Sequence, residues 1–217
     1  MILLKEWKIY LQKKLLFIII SVVLFILSVI LIFYTLNYVE NRPGNKIFDP
    51  ILNILPSYDL SNLLFFLTYT GSLIGILICI NYPKTFLITL LTYTQILIYR
   101  SISMYLTPLE PPEGIIPLRD IFLEKTFYVN KINLKDLFFS GHTATITMFL
   151  FTIEDFKWKI FFLIYSILIA TCLLFQHAHY SIDVFIAPFI SFTSYSISKS
   201  IFYKYLNFTK SNPSNTN

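Results

Sequence analysis

Long apolar runs with few charges recur along the chain, and they constrain the fold more than any other feature. Clear examples are residues 15–32, 63–80 and 160–175. A helix needs roughly 20 apolar residues to cross a hydrocarbon layer ~30 Å thick. The 217-residue chain is 56% hydrophobic and 13% charged, whereas soluble domains carry about 25% charged residues. The runs therefore predict one integral membrane domain rather than a soluble domain with an anchor.

Six segments have the apolar character of membrane-spanning helices. They are residues 15–38, 60–80, 86–105, 138–153, 160–176 and 182–202. The pattern predicts an all-α fold, a bundle of six transmembrane helices. Its domain covers 15–205, between an N-terminal segment at 1–14 and a disordered tail at 206–217. Gly71 and Gly75 form a GxxxG pair in the second segment, and packing within the chain is favoured over dimerisation.

The placement of Lys and Arg predicts which side of the membrane each segment faces. Ten of the 17 basic residues lie in short loops and tails on the side of both termini, with only three of the 12 acidic residues. The opposite side carries the longer segments 39–59 and 106–137. Because short cytoplasmic loops are enriched in Lys and Arg, we expect both termini to be cytoplasmic. The net charge of +5 reflects this placement and does not indicate nucleic-acid binding.

The histidines of the chain gather on the side of the long segments. They are His142, His177 and His179, all at ends of predicted spans. Ionisable groups at membrane level are costly, which makes them candidates for function. His179 and Asp183 are four residues apart, so a carboxylate can hold one ring nitrogen and leave the other as nucleophile or base. A structural His–Asp cap without chemistry is the alternative.

A second candidate segment, Ser140-Gly141-His142-Thr143, opens the fourth predicted span. Glycine lets a backbone approach a ligand closely, and the amides at a helix start bind phosphate well. His142 beside such a start could pass a proton to or from a phosphate ester oxygen. A capped helix start with an incidental histidine is the alternative.

Taken together, these segments resemble the type-2 phosphatidic acid phosphatase (PAP2) superfamily, and within it the sphingomyelin synthase branch. Residues 136–143 match D-x-x-F-S-G-H-T, and residues 177–184 match H-x-H-Y-[ST]-x-D-V. Weaker matches are 99–111, which contains Arg100, and 49–59, which begins with Asp49-Pro50. The resemblance implies a six-helix bundle of the lipid phosphate phosphatase type.

The resemblance also implies catalytic roles for His142, His179 and Asp183. His179 would attack phosphorus and form a phosphohistidine, and Asp183 would orient it. His142 would protonate the leaving alcohol and then deprotonate the incoming one. This chemistry calls for no cofactor and no metal. Its partners would be a membrane phospholipid donor and a lipid alcohol acceptor, and the oligomeric state is left open.

One position bears on whether phosphate is removed or transferred. The phosphatase branch usually has an arginine six residues before the nucleophilic histidine, where this chain has Leu173. Arginines clamp a phosphate monoester dianion, so its absence suits a diester with a single charge. The expected reaction moves phosphocholine or phosphoethanolamine from a glycerophospholipid to ceramide or a similar alcohol, releasing diacylglycerol. The alternatives are a lipid phosphatase or phospholipase-C-like hydrolase, and a non-catalytic lipid-binding protein.

Five further residues are expected to contact substrate: Arg100, Asp136, Ser140, Gly141 and Tyr180. Arg100 would bind phosphate, although an anchor at the membrane interface is an equal alternative. Asp136 would meet a cationic headgroup or cap the helix. Tyr180 could make a cation–π contact with choline, although rings at membrane ends are more often simple belt residues. The role of His177 stays open, including a metal site with His179.

Overall fold

Six α-helices make up the computed structural model, which describes residues 2–118 and 133–211. They are α1 (Ile2–Glu40), α2 (Ser61–Ile80), α3 (Pro83–Leu106), α4 (Gly141–Thr152), α5 (Phe156–Phe175) and α6 (Ser181–Ser211). Each helix coincides with one predicted span, so the all-α prediction is confirmed. The predicted segment 106–137 is described only in part. Residues 119–132, with Arg119, Lys125 and Lys131, lie outside the described ranges.

Four helices in the described ranges are long and apolar enough to cross a membrane. They are Tyr10–Glu40, Ser61–Ile80, Pro83–Leu106 and Phe156–Phe175. Helix α4 has only 12 residues, which span about 18 Å and fall short of the ~30 Å hydrocarbon layer. Helix α6 is long, but its sequence is rich in serine and includes Asp183 and Pro188. The described residues therefore support a multi-pass membrane protein, and the count of six spans stays a prediction.

Two helices extend beyond their predicted bounds. Helix α1 begins at Ile2 rather than near residue 15, with non-helical dihedrals at Lys14 (φ −138°, ψ 21°). The expected N-terminal segment 1–14 is therefore largely helical. Helix α6 continues to Ser211, which corrects the prediction of disorder for residues 206–211. The rest of the expected tail, 212–217, lies outside the described residues.

The starts of the inner helices follow from local sequence. Pro83 begins α3, where its missing N–H and fixed φ are favourable. The Asp155 carboxylate caps α5 by accepting from the amides of Lys157 and Trp158 at 2.9 and 3.3 Å. The Ser140 hydroxyl caps α4 by accepting from the Thr143 amide at 3.4 Å. The Ser140 cap sets where α4 begins and so places the SGH segment at the first turn of that helix.

The short helix α4 lies at the centre of the bundle, in contact with α2, α3, α5 and α6. The GxxxG pair of α2 makes this packing possible. A Cβ on Gly71 would lie 2.9 Å from Ile146, and one on Gly75 would lie 2.6 Å from Phe149. The pair therefore packs within the chain, as predicted. Helix α1 packs mainly on α3, and its Phe17 ring also contacts Phe202 and Tyr205 of α6.

The connecting segments form a bonded layer at the end of the bundle where α4 and α6 begin. The Glu40 carboxylate accepts from the Lys135 amide at 3.0 Å. The Lys135 ammonium donates to the Arg42 carbonyl at 2.7 Å and to the Glu110 carboxylate at 2.8 Å. Hydrogen bonds from Lys135 and from the Gly44 amide hold the pKa of Glu110 below its usual value. This layer ties residues 133–137, just before α4, to the end of α1.

Candidate active site

The two predicted motifs meet at the adjoining starts of α4 and α6. The Ser140 amide donates to the backbone carbonyl of Asp183 at 3.1 Å. Ser140 is fully buried and, besides capping α4, its hydroxyl donates to the Thr143 hydroxyl at 3.1 Å. His142, the second residue of α4, is half-buried. A direct backbone bond thus joins the SGH segment to the first turn of α6, which carries Asp183 and begins two residues after His179.

His179 and Asp183 form a buried pair at the start of α6. Their side chains are 3% and 0% exposed, and His179 Nδ1 lies 3.3 Å from Asp183 Oδ2. The same carboxylate oxygen accepts from the Tyr180 amide at 3.1 Å. Asp183 Oδ1 is buried with no hydrogen-bond partner in the part of the chain that the structure describes. The pair has the arrangement that orients a histidine and leaves its Nε2 as the reactive nitrogen.

Arg100 and Asp136 form an ion pair beside the start of α4. Arg100 is 6% exposed, so it points into the bundle and does not anchor α3 at the membrane interface. Asp136 pairs with this guanidinium. The cap of α4, which Asp136 was considered to supply, comes from Ser140 instead. The guanidinium lies against Gly141: a Cβ there would overlap its Nη1 atom. The structure therefore places a buried arginine directly over the first turn of α4.

Adding a methyl group at position 141 should separate folding from activity. In Gly141→Ala the new Cβ would displace the guanidinium of Arg100, which is the mobile end of a long side chain. We expect the protein to fold and turnover to fall about 100-fold, because small misplacements of a catalytic group cost about that much. The control is the double variant with Arg100→Ala. Once Arg100 is removed, Gly141→Ala should cost little more, and two fully additive losses would contradict the contact.

Tyr180 was expected to contact the headgroup, but its position favours a structural role. The residue is 1% exposed and packs with Leu52 and Leu137. Its hydroxyl donates to the Glu110 carbonyl at 3.0 Å and accepts from the Ile47 amide at 3.4 Å. Burial raises the pKa of Tyr180, which keeps this hydroxyl a donor. Tyr180 therefore fastens two connecting segments to the residue beside His179.

Asp49 holds the start of α6 from the segment between α1 and α2, and sequence reasoning did not assign it this role. Its carboxylate accepts from the Ser181 amide at 2.6 Å and from the Ser181 hydroxyl at 3.1 Å. The Ile51 and Leu52 amides donate to it at 2.9 and 3.2 Å. Burial by itself would raise the pKa of Asp49, but these bonds, led by that of the Ser181 amide, hold it below the usual value. The only sequence signal was the Asp-Pro of the weak first motif.

Asp49→Ala should lower the free energy of unfolding by about 1–2 kcal/mol, the usual cost of losing a helix cap, and turnover by roughly tenfold. Because folding lowers this pKa, the contribution is fully present above about pH 4. It is lost as the pH falls through the lowered pKa, where variant and wild type should converge. Thermal unfolding across pH would measure this. Asp59→Ala is the matched control, since among the described residues the Asp59 carboxylate accepts only from Ser61 at the start of α2, and its turnover should be unchanged. Equal turnover losses would contradict the role.

His177 is an anchor for the connecting segments. Its Nδ1 lies 2.9 Å from the Glu113 carbonyl oxygen and its Nε2 lies 3.1 Å from the Leu55 carbonyl oxygen. Its backbone is left-handed, with φ of 51°. Both ring nitrogens face backbone oxygens, which separates the role of His177 from that of His179.

Leu173 lies in the main apolar core and is fully buried. The same core contains Ala144 of α4 and Val184 of α6. The position where the phosphatase branch carries an arginine is therefore filled by hydrocarbon next to the two site helices. Among the described residues, Arg100 is the arginine whose side chain is buried at this end of the bundle.

The apolar helices and the buried His–Asp pair are typical of one class of protein, a multi-pass membrane protein with a polar site at one end of a helical bundle. Residues 135–200 match the family described as PAP2 superfamily C-terminal. The matched range contains both motifs and the whole of α4 and α5. It supports membership of the PAP2 superfamily and a function of the membrane lipid phosphatase or phosphotransferase type. A search of curated proteins found no match to the chain.

Proposed function

We propose that the protein is a lipid phosphotransferase of the sphingomyelin synthase type. It would move phosphocholine or phosphoethanolamine from a glycerophospholipid to ceramide or a similar lipid alcohol, with release of diacylglycerol. The observation that carries the proposal is the backbone bond between Ser140 and Asp183. This bond joins the segment that contains His142, to which we assign proton transfer, to the start of α6 beside His179, to which we assign nucleophilic attack.

In the first step, the Nε2 atom of His179 attacks phosphorus and the bond between phosphorus and the diacylglycerol oxygen breaks. His142 donates its proton to that oxygen. Asp183 balances the charge that develops on the His179 ring, and a negative partner at this position stabilises an imidazolium. Arg100 stabilises the phosphoryl oxygens, because preorganised donors at developing charge contribute several kcal/mol.

In the second step, His142 takes the proton of the acceptor hydroxyl, and the acceptor oxygen attacks the phosphorus held on His179. The phosphorus–nitrogen bond breaks and the histidine is free again. Leu173 supports a diester substrate: its position is buried in hydrocarbon, so it supplies no second cation. A monoester dianion would meet Arg100, a guanidinium already shared with Asp136.

The decisive experiment incubates the membrane-embedded protein with fluorescent ceramide and each candidate phospholipid, followed by product identification. Transfer of the headgroup to ceramide supports the proposal. Release of free headgroup or phosphate without transfer would instead identify a hydrolase. Absence of any product, with His179 intact, would contradict both.

We also propose six spans with both termini cytoplasmic and the site on the opposite face. Lys84 and Glu154 pair at 3.0 Å at one end of the bundle, and both were assigned to the cytoplasmic side. Single cysteines at exposed Asn53 and exposed Lys157 provide a matched test on a background with Cys79 and Cys172 replaced by serine. An impermeant thiol reagent applied from outside should label position 53 and not position 157. The reverse result would overturn this orientation.

A further inference from the structure

An apolar cavity of about 270 Å³ lies between α1, α2, α3 and α4. Its walls include Phe25, Ile76, Tyr93 and Phe149, one from each helix. Two polar groups in the wall are already engaged. The Thr145 hydroxyl donates to the Gly141 carbonyl at 2.8 Å, and the Thr89 hydroxyl lies 3.5 Å from the Cys79 sulfur. The cavity therefore suits a hydrocarbon chain better than a polar ligand.

The cavity lies on the face of α3 that carries Arg100. Tyr93, Thr89 and Phe86 precede Arg100 by close to whole numbers of helical turns, so all four share one side of the helix. At 1.5 Å per residue, Tyr93 lies ~10 Å and Phe86 ~21 Å further along the axis. The α3 wall of the cavity thus begins about two helical turns from Arg100 and continues into the apolar depth of the bundle.

On α4 as well, a residue of the site and residues of the cavity wall lie on the same side of the helix. His142, Thr145 and Phe149 lie on one side of this helix, and the latter two line the cavity. Arg100 and Gly141 are in direct contact across the two helices. A phosphate at Arg100 and His142 would therefore have this cavity beneath it.

The cavity has a route to the bilayer. Within the described residues the backbones of α1 and α2 do not approach one another closely, and the Trp7 indole bridges them only at the far end of α2, where it donates to the Ile80 carbonyl at 2.8 Å. Phe25 stands on one side of this gap and Ile76, which is 46% exposed, on the other. Bilayer hydrocarbon lies against both outer faces in a membrane-embedded bundle, so a chain can enter sideways without crossing the polar layer.

We propose that the cavity binds one acyl chain of the donor glycerophospholipid, which enters from the bilayer between α1 and α2. The proposal rests on the proposed function for the identity of the donor. The bound chain belongs to the diacylglycerol part, whose oxygen is the leaving group at His142. The depth of the cavity then sets the acyl length that the enzyme prefers.

Filling the cavity should change chain-length preference. Ser72 lines it, while its neighbour Leu73 is 58% exposed on the outer face of α2. In Ser72→Phe, the ratio of kcat/KM for long-chain over short-chain donors should fall at least about tenfold, because each methylene excluded from an apolar pocket costs roughly that factor. Leu73→Phe adds bulk outside the cavity and should leave the ratio unchanged. Phe25→Ala widens the entrance and should shift the ratio the opposite way, which keeps the test valid if Ser72→Phe fails to fold.

Binding can be measured apart from turnover. A phosphatidylcholine with a photoreactive group on its acyl chain would be crosslinked to the inactive His179→Ala variant in membranes, and the sites mapped by mass spectrometry. Crosslinks at Tyr93, Met148 or Cys79, reduced by Ser72→Phe and not by Leu73→Phe, would support the chain site even if no headgroup transfer were found. If the enzyme is active but its chain-length preference and its crosslinks are unchanged in Ser72→Phe, the acyl-chain site is refuted and the proposed function stands.

Discussion

Replacing His179 with alanine should lower headgroup transfer by about 10⁴-fold or more, the usual cost of removing a nucleophile. The residue is buried with its Nδ1 held by Asp183, and no other group in the described site offers an equivalent nitrogen in the same orientation. The measurement is product formed per amount of membrane-inserted protein. A donor radiolabelled at phosphorus should label wild-type protein transiently and should not label the variant.

His177→Ala is the matched control, because it removes the same ring two residues away from a similarly buried position. His177 bonds to backbone carbonyls of the connecting segments, so its loss should loosen that layer and lower turnover roughly tenfold. Retention of wild-type transfer by His179→Ala would refute the nucleophile assignment. Equal losses of turnover in His179→Ala and His177→Ala would show that both rings support the structure of the site.

Asp183→Asn should lower turnover by roughly 10⁴-fold while leaving the stability of the protein unchanged or increased. One carboxylate oxygen accepts from His179 and from the Tyr180 amide, and the other has no partner among the described residues. Asparagine can place its oxygen in the first position and its amide group in the second. The fold is kept, but the negative charge that supports the imidazolium is lost.

The direction of the stability change in Asp183→Asn distinguishes a catalytic role of Asp183 from a structural one. A buried charge without full pairing carries a desolvation cost, so its removal should not lower the midpoint of thermal unfolding in detergent. A structural His–Asp cap predicts the reverse, namely a clear loss of stability with activity kept in the folded fraction. Measuring both quantities on the same purified variant separates the two roles.

Features that depend on residues near in sequence were predictable. All six helices coincide with apolar runs, because a helix in lipid satisfies its own backbone hydrogen bonds wherever the run is long enough. The pairing of His179 with Asp183 was predicted from their spacing of four residues, although His179 lies two residues before α6 begins and not on the helix itself. The Ser140 cap follows from a serine at a helix start. In each case the partner lies within one turn.

Contacts between distant segments were not predicted. Arg100 and Asp136 were each expected to meet substrate, and no sequence pattern indicated that they also pair with one another across 36 positions. Asp49 reaches Ser181 across 132 positions. Tyr180 was assigned to the headgroup because aromatic rings attract cations. Its burial depends on Leu52 and Leu137, which no local pattern connects to it.

His142, His179 and Asp183 could be selected from the sequence as the candidate core, because the motifs and the four-residue spacing that identify them are local. The tertiary structure decided how the site is assembled: the Ser140 amide reaches the Asp183 carbonyl, and the Arg100 guanidinium lies against Gly141. It also decided that an apolar cavity of about 270 Å³ lies between α1, α2, α3 and α4. The physical reason is that packing between helices depends on side-chain volumes and on glycines that permit close approach, and these combine across segments that the linear order keeps apart.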